Sequence, residues 1–328
     1  MKHVTIVVPS GDINLSSITG SFEILKGAHA YWQAMGNPPL MDIQIAGFVK
    51  ELKVDHGFFS IRPSYLGDIQ KTDLLIIPSV DYNDQLIQKN GALINWIKTQ
   101  YKGGAEIASM CSGAFLLAST GLLDGRSCAT HWRLSADFSQ LFPNVQLQPD
   151  HLITAEQRIY TNGGGYSFLN LILYLVEIYF DRATAIYCSK IFQIDIERSS
   201  QSPFRIFQVQ KNHGDDLITQ AQTYIEENLG ERISFEQLAS KLATSRRNFD
   251  RRFIKATGNT PVEYLQRVKV EVAKSTLETS NKSVLEVMMD VGYSDEKAFR
   301  EVFKKITGLS PLDYKEKFHK TTAEMSCM

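Results

Sequence analysis

The spacing of apolar positions changes character once along this chain of 328 residues. In the first two hundred residues, short β-branched or apolar runs at Val4–Val8, Ile43–Phe48, Leu74–Ile77 and Ile107–Ser109 alternate with helical stretches at Ser21–Met35, Asp84–Gln100 and Gly113–Ser119. That alternation predicts a parallel sheet covered by helices on both faces. The stretches ERSSQSP and KNHGDD, between Glu197 and Asp215, break the periodicity and mark a boundary. Beyond it the apolar spacing is helical throughout.

The helical part says nearly the same thing twice. Asn248–Tyr264 reads NFDRRFIKATGNTPVEY and Ala298–Tyr314 reads AFREVFKKITGLSPLDY, matching at one offset of fifty. Phe299, Val302, Phe303 and Ile306 give the second copy one apolar face; Phe249, Phe253 and Ala256 serve the first. Ser245 and Ser294 are placed to cap these helices, and Gly258 and Gly308 to end them in the left-handed conformation. A shorter helix precedes each copy, with capping-box patterns at Ser234–Gln237 and Ser283–Glu286. The turns between them, Ala243-Thr244 and Gly292-Tyr293, are short. Helix, tight turn and second helix make the helix-turn-helix plan, whose second helix enters the DNA major groove. Val262, Leu265, Val268 and Val272 predict a helix linking the two units.

Charge separates a DNA-binding face from a bland helical bundle. Between Ser245 and Ala256 five cations face one acid, whereas Asp295–Lys305 holds four cations and three acids. Arginine at the start of a recognition helix can bond a guanine edge with two donors, and cations further along meet phosphate. Residues from about Asp215 to Phe318 resemble the AraC/XylS DNA-binding domain. The resemblance is sharpest at Val291-Gly-Tyr-Ser294, Phe299, Phe303-Lys-Lys, Gly308 and Ser310-Pro311 through Tyr314. It implies that both recognition helices enter successive major-groove segments. It also implies base-edge contacts from Arg246, Arg247, Asn248, Asp295, Glu296 and Lys297, with Arg251, Arg252, Arg300 and Lys304 on phosphates. Ser245 and Ser294 complete the expected interface. Residues 213–328 carry 18 Lys/Arg and 18 Asp/Glu, so non-specific affinity should be weak and specificity should rest on base contacts and paired protomers.

In the first part, Glu106-Ile-Ala-Ser-Met-Cys-Ser-Gly-Ala-Phe-Leu-Leu-Ala118 runs a strand into Cys111 and starts a helix at once. A turn this sharp is expected to expose the thiol above the sheet beside a helix N-terminus, the geometry of nucleophile elbows. The local field would favour thiolate there, and His131 is the nearest candidate base. The alternative for Cys111 is a small buried hydrophobe. The segment resembles the PfpI-like branch of the class I glutamine-amidotransferase-like superfamily. With Gly121-Leu-Leu-Asp-Gly125 and Thr130-His131-Trp132, it is similar to the form fused to AraC-type regulators. That resemblance spans about Lys2 to Phe318 and implies sensing of small nitrogenous metabolites, with a ligand site near Cys111, Ser112, His131 and Gly164. The chain departs from the superfamily in lacking an acid near the first helix. Ser17 stands about where one is expected, with Asp12 and Glu23 out of register, and Asn170 follows Gly163-Gly-Gly165 where an Asp is usual.

The reading is therefore an α/β flavodoxin-like sandwich followed by an all-α domain with two helix-turn-helix units. Residues 1–200 form the sensing and dimerisation domain, 201–214 a linker, 215–320 the double helix-turn-helix domain and 321–328 a disordered tail containing Cys327. Four dispersed cysteines without a CxxC pair argue against zinc and disulfides, and Cys128 and Cys188 read as structural. A net charge of −1, an N-terminus unlike a signal peptide and an apolar stretch at Phe168–Phe180 too short for a bilayer point to a cytoplasmic protein. The expected partners are double-stranded DNA, a small-molecule effector, a second copy of the chain and RNA polymerase, with no membrane, metal or cofactor. The alternatives are a cysteine-dependent amidase or deglycase and a thiol redox sensor, both acting through Cys111.

Overall fold

The computed structural model describes residues 1–83 and 85–319, which fold as two compact units, one from Met1 to Gln201 and one from Ser202 onward. Cys327 and the 321–328 tail lie outside the described residues, as does Asp84.

In the first unit, β1 (Lys2–Val8) leads through α1 (Leu15–Ala34) to β2 (Met41–Gly47). A hairpin of β3 (Leu52–Val54) and β4 (Phe59–Ile61) and the short β5 (Ser64–Tyr65) follow. Next come β6 (Leu74–Ile77), α2 (Leu86–Lys89), α3 (Gly91–Lys102), β7 (Glu106–Met110) and α4 (Gly113–Ala118). The unit ends with β8 (Ser127–Cys128), α5 (Ser135–Leu141), β9 (Gln146–Leu147), the hairpin β10 (Ile153–Glu156) and β11 (Ile159–Asn162), α6 (Phe168–Tyr179) and α7 (Arg182–Phe192).

Seven strands form one sheet in the order β10-β11-β7-β6-β1-β2-β5, parallel except for the β10–β11 hairpin. Five of its six parallel strands, β2-β1-β6-β7-β11, follow the flavodoxin-like order. From β1 the chain steps one way to β2, and from β6 it steps the other way to β7. Right-handed crossovers therefore place helices on both faces. Helices α1, α6 and α7 pack together, while α2 and α3 pack on α4.

The four expected strands are β1, β2, β6 and β7; β1, β6 and β7 bury most of their side chains, while β2 is half-buried along its middle. The helix expected at Ser21–Met35 begins earlier, at Leu15, because Asn14 caps it by accepting the Ser17 amide at 3.2 Å. The helix expected up to Gln100 is two helices broken at buried Asn90. Its side-chain amide donates to Leu86 O at 2.9 Å and Ser10 O at 2.8 Å, and its carbonyl takes the Ser10 amide.

The second unit comprises α8 (Asp216–Glu227), α9 (Phe235–Lys241), α10 (Arg246–Thr257), α11 (Pro261–Thr279), α12 (Val284–Asp290), α13 (Glu296–Thr307) and α14 (Pro311–Phe318). It has two cores. Ile218, Leu238, Phe249, Phe253, Tyr264 and Val268 belong to the first, and Leu277, Val287, Phe299, Phe303 and Tyr314 to the second. The linking helix α11 contributes its first half to one core and its second half to the other. The sequence repeat is a structural repeat. Phe253 meets Tyr264 edge-on at 5.2 Å and Phe303 meets Tyr314 edge-on at 5.4 Å. Each tyrosine then donates to a buried-side carboxylate, Tyr264 to Glu226 at 2.8 Å and Tyr314 to Glu278 at 2.5 Å. Gly258 and Gly308 end their helices at φ +68° and +78°.

One cap differs from expectation. Ser245 caps α10 by accepting the Asn248 amide, but Asp295, not Ser294, caps α13 by accepting the Ala298 amide at 3.0 Å. The caps of the preceding helices, Ser234 and Ser283, are forty-nine residues apart, whereas those of the recognition helices are fifty apart. The turn of the second unit is thus one residue longer, which pushes Ser294 out of the cap and moves Asp295 into it. The full capping box closes at Ser283–Glu286, while at Ser234 the hydroxyl alone caps.

Residues 201–214 contain one short helical turn at Ser202–Phe204 and are otherwise irregular. They are nonetheless packed, with Phe207 and Val209 against the first core.

Candidate nucleic-acid interface and sensor site

Helix α10 sorts its cations by geometry. Arg246 lies over the Phe235 ring at 5.5 Å and donates through Nε to both carboxylate oxygens of Asp250, at 2.8 and 2.9 Å. Arg252 reaches back to Asp215, the cap of α8, with Nε and Nη2 at 2.9 and 2.6 Å from its two oxygens. That bidentate pair gives the guanidinium expected on phosphate an internal partner. Its planar fork is committed to pinning α10 on α8. The guanidinium holds the Asp215 carboxyl below its ordinary range. The stabilisation this gives is present at neutral pH and is lost as the pH falls through the lowered pKa.

Arg247 and Arg251 remain exposed on the helix and, with Ser245 and Asn248, line one concave patch. Asn248 is oriented within it, donating to Thr244 Oγ1 at 2.9 Å and accepting from Arg251 at 2.9 Å. On α13, Lys297 is 86% exposed and lies 4.0 Å from Glu301, while Arg300 pairs with Glu296 at 2.5 Å. Lys304 is exposed in the last turn. These solvent-screened i,i+4 pairs are weak and can be exchanged for phosphate.

In the first unit the elbow is present but the thiol is not exposed. Cys111 has φ +52°, the left-handed conformation that a sharp strand-to-helix turn requires, and is 8% exposed. The expectation of a thiol standing free above the sheet is therefore corrected to a buried cysteine. Thr130 donates to the Cys111 carbonyl at 2.8 Å and the Cys111 amide donates to Asn162 O at 3.1 Å. Gly113 is obligatory beside it, because a Cβ there would stand 2.6 Å from Pro78 O. The Ser112 hydroxyl bonds Val80 O, takes the Val80 amide at 3.1 Å and lies 3.2 Å from Ser79 Oγ. Ser112 thus shapes the elbow rather than offering a free hydroxyl.

His131 and Gly164 are brought together. The imidazole lies so close to Gly164 that a Cβ there would come within 1.9 Å of its ring. His131 Nδ1 accepts the Arg133 amide at 3.1 Å, and burial first, then Arg133, pushes the ring's pKa down. The Gly164 amide is also engaged, donating to Gln201 Oε1 at 3.2 Å. Gln201 is a residue that sequence reasoning missed. It is almost fully buried, and its other amide end donates to the carbonyls of Thr130 and Pro149 at 2.9 and 3.0 Å. A glutamine in a Ser/Pro-rich break carries no signal of its own. Ser17 is buried where an acid was expected, donating to Asn14 O at 2.7 Å and accepting the Ser79 amide at 3.2 Å. Asp12 and Glu23 are both exposed. Asn170 is spent on Asp195 O at 2.5 Å. Among the described residues no three of His, Cys, Asp and Glu gather as metal ligands.

A second feature missed by sequence reasoning is a cavity of about 700 Å³ lined by Asp12, Ser16, Asp55, His56, Asp81 and Tyr166 among others. It lies at the carboxyl ends of β1 and β6, the two neighbours whose crossovers leave in opposite directions. Ligands of open α/β sheets bind at this switch point. Its wall includes the turn Asp55-His56-Gly57, with all three residues at positive φ. Cys128 and Cys188 are inert by burial, which pushes Cys128 up to about 12 and Cys188 up to about 11. Neither is expected to react with iodoacetamide at pH 8 in the native protein, as peptide mapping would read; rapid labelling of Cys128 would contradict the closed loop around it.

A doubly wound sandwich with a cysteine elbow, followed by a duplicated helix-turn-helix, defines a two-part chain that joins an α/β fold to a helix-turn-helix domain. Residues 41–166 match the DJ-1/PfpI family and residues 238–317 match a helix-turn-helix domain family. The chain thus combines a DJ-1/PfpI domain with an AraC-type helix-turn-helix domain, the plan of AraC-family regulators with PfpI-like N-terminal domains. It is 25% identical over 224 residues to the HTH-type transcriptional regulator GbdR of Pseudomonas aeruginosa, covering 68% of this chain and 61% of that protein. With the regulator ArgR of the same species it shares 27% over 218 residues, 66% of this chain and 65% of that one. The matches therefore span under two thirds of these two relatives. A crystal structure of a candidate transcriptional regulator from Vibrio parahaemolyticus superposes with TM-score 0.52 at 25% identity, covering 58% of this chain and 98% of that one. Drosophila melanogaster DJ-1beta shares the fold, with TM-score 0.50 at 16% identity over 59% of this chain and 98% of that one. Among the described residues no helix is long and apolar enough to cross a membrane.

Proposed function

We propose that this protein is a sequence-specific DNA-binding transcription regulator whose first unit senses a small nitrogenous metabolite and pairs two protomers. The observation that carries the reading is the duplicated unit itself. Two helices with matching aromatic cores and αL ends each carry exposed cations at their N-terminal turns. Arg247, Asn248 and Arg251 on α10, with Lys297 on α13, are the residues proposed to read bases, while Lys304 meets phosphate. Arg246 orients the first patch through Asp250. Two such units per protomer suit binding to successive major-groove segments.

The cavity at the switch point is proposed as the effector site in preference to the thiol. Three carboxylates, Asp12, Asp55 and Asp81, border it together with the exposed ring of Tyr166. Carboxylates with an aromatic face suit an ammonium group. An effector acts only if it binds the DNA-competent and incompetent states with different affinity.

The test is a thermal-shift screen of amino acids and quaternary amines on the full chain. A ligand at a hundred times its Kd should stabilise by about 2.7 kcal/mol, and Asp81→Asn should abolish the shift. A hit indifferent to Asp12, Asp55 and Asp81 would place the effector elsewhere. Turnover of amide or glyoxal-type substrates that disappears in Cys111→Ala would replace this reading with an enzyme.

A further inference from the structure

Helix α11 is shared by both helix-turn-helix units, and near its middle it carries two charges that neither repeat explains. The Lys274 side chain is only 5% exposed. Its ammonium donates to the Arg205 carbonyl at 2.5 Å and to Glu271 Oε2 at 2.9 Å. The same Glu271 oxygen accepts the Phe207 amide at 3.0 Å. One ion pair, between a buried ammonium and a half-buried carboxylate, thus grips two backbone groups of the irregular segment that precedes α8.

That segment touches both halves of the unit. Toward the second copy, the turn Ser202–Phe204 packs on α13, and Phe204 meets Phe318 of α14 edge-on at 5.7 Å. Toward the first copy, Phe207 meets Tyr264 edge-on at 5.6 Å, the Gln210 carbonyl takes the Gln222 amide at 2.8 Å, and Lys211 pairs with Glu226 at 2.7 Å. Glu226 is the carboxylate that also receives the Tyr264 hydroxyl. The strap therefore runs from one recognition unit to the other, fastened to α11 between them. It occurs once, whereas the rest of the unit is duplicated, so it serves the junction of the copies and neither copy alone.

Burying the Lys274 ammonium is costly even with a carboxylate beside it, and an apolar residue of similar volume often stabilises as well or better. Such a pair is best accounted for by specificity of arrangement. Here the arrangement is the angle between two helices that must reach successive turns of the duplex, about 34 Å apart.

We propose that Lys274 and Glu271 are positioning residues that clamp residues 204–211 across both helix-turn-helix units and so fix the spacing at which the two recognition helices meet DNA. The proposal rests on the DNA-binding reading above.

The test uses full-length protein and an operator selected in vitro with the wild type. Affinity is compared on the native operator, on operators with one base pair inserted or removed between the two contacted segments, and on a single segment. The wild type should lose about tenfold or more when the spacing changes. Lys274→Met should weaken on the native operator by about tenfold, accept altered spacings nearly equally, and bind a single segment as the wild type does. Lys274→Arg should restore part of the spacing preference, which a merely structural role would not require. Phe204→Ala, which frees the strap at its far end without leaving a buried charge, should relax spacing in the same direction if Lys274→Met does not fold. An unchanged spacing preference in a folded Lys274→Met or Phe204→Ala protein overturns the clamp. Failure of the wild type to select any sequence instead overturns the DNA-binding reading on which the clamp depends.

Discussion

Gly292→Ala is expected to destabilise the second helix-turn-helix unit by roughly 2–4 kcal/mol and to abolish specific DNA binding, combining the left-handed penalty for a side chain with an overpacking cost. Gly292 has φ +70°, and a Cβ placed there would stand 2.7 Å from Gly230 O and 2.8 Å from Leu229 O. Both obstacles are backbone atoms, so no rotamer change relieves them. The Gly292 carbonyl also receives the ammonium of Lys269 at 3.3 Å, which burial holds below the ordinary lysine range. Moving the turn would leave that buried charge short of an acceptor. The first unit supplies the control. Ala243 occupies the matching turn at φ +52°, and Ala243→Gly should be neutral or stabilising by up to about 1 kcal/mol. Urea unfolding and mobility shift check both variants, and an unaltered midpoint for Gly292→Ala would refute the close-packed turn.

The second large effect separates the arginines of α10. Arg247→Ala and Arg251→Ala should each weaken binding to the selected operator by roughly 1–3 kcal/mol if they bond base edges, with the loss confined to particular base pairs. If either cation meets phosphate instead, affinity should fall uniformly and the salt slope should drop by about 1. Arg252→Ala should do neither. Removing it strands the Asp215 carboxylate at the start of α8, so the deficit should appear in thermal stability with the salt slope unchanged. An Arg252→Ala protein of wild-type stability and reduced salt slope would return Arg252 to the DNA face. Base-by-base affinity profiles at two salt concentrations decide among these outcomes.

These expectations show where sequence reading reached and where it stopped. The helix ends were legible because Ser245, Ser283, Gly258 and Gly308 act on atoms within their own turn. Ser294 stands in for Asp295 when the forty-nine-residue spacing of the preceding caps is carried onto Ser245; the turn is one residue longer, and the fifty-residue offset of the aromatic repeat is the one that leads to Asp295. The charge run on α10 was legible as a count, but not as a set of roles. Arg252 and Arg246 look like Arg247 and Arg251 until Asp215, thirty-seven residues away, and the Phe235 ring are brought beside them. The same holds at the elbow. Cys111-Ser112-Gly113 announces its backbone turn, but the groups that hold the turn, Thr130, Asn162 and Val80, come from three other segments.

The sequence by itself determined the elements and their order. Alternating runs specify a parallel sheet, helical spacing specifies the duplicated domain, and glycines and caps set the ends, all through interactions a few residues apart. Tertiary structure alone decided which polar groups remain available. It spent Ser112, Gly164 and Arg252 on internal partners, left Arg247 and Arg251 exposed, gathered Asp12, Asp55 and Asp81 around one cavity, and made a clamp of Glu271 and Lys274. Availability of this kind depends on desolvation and on partners distant in the chain, and local spacing does not encode either.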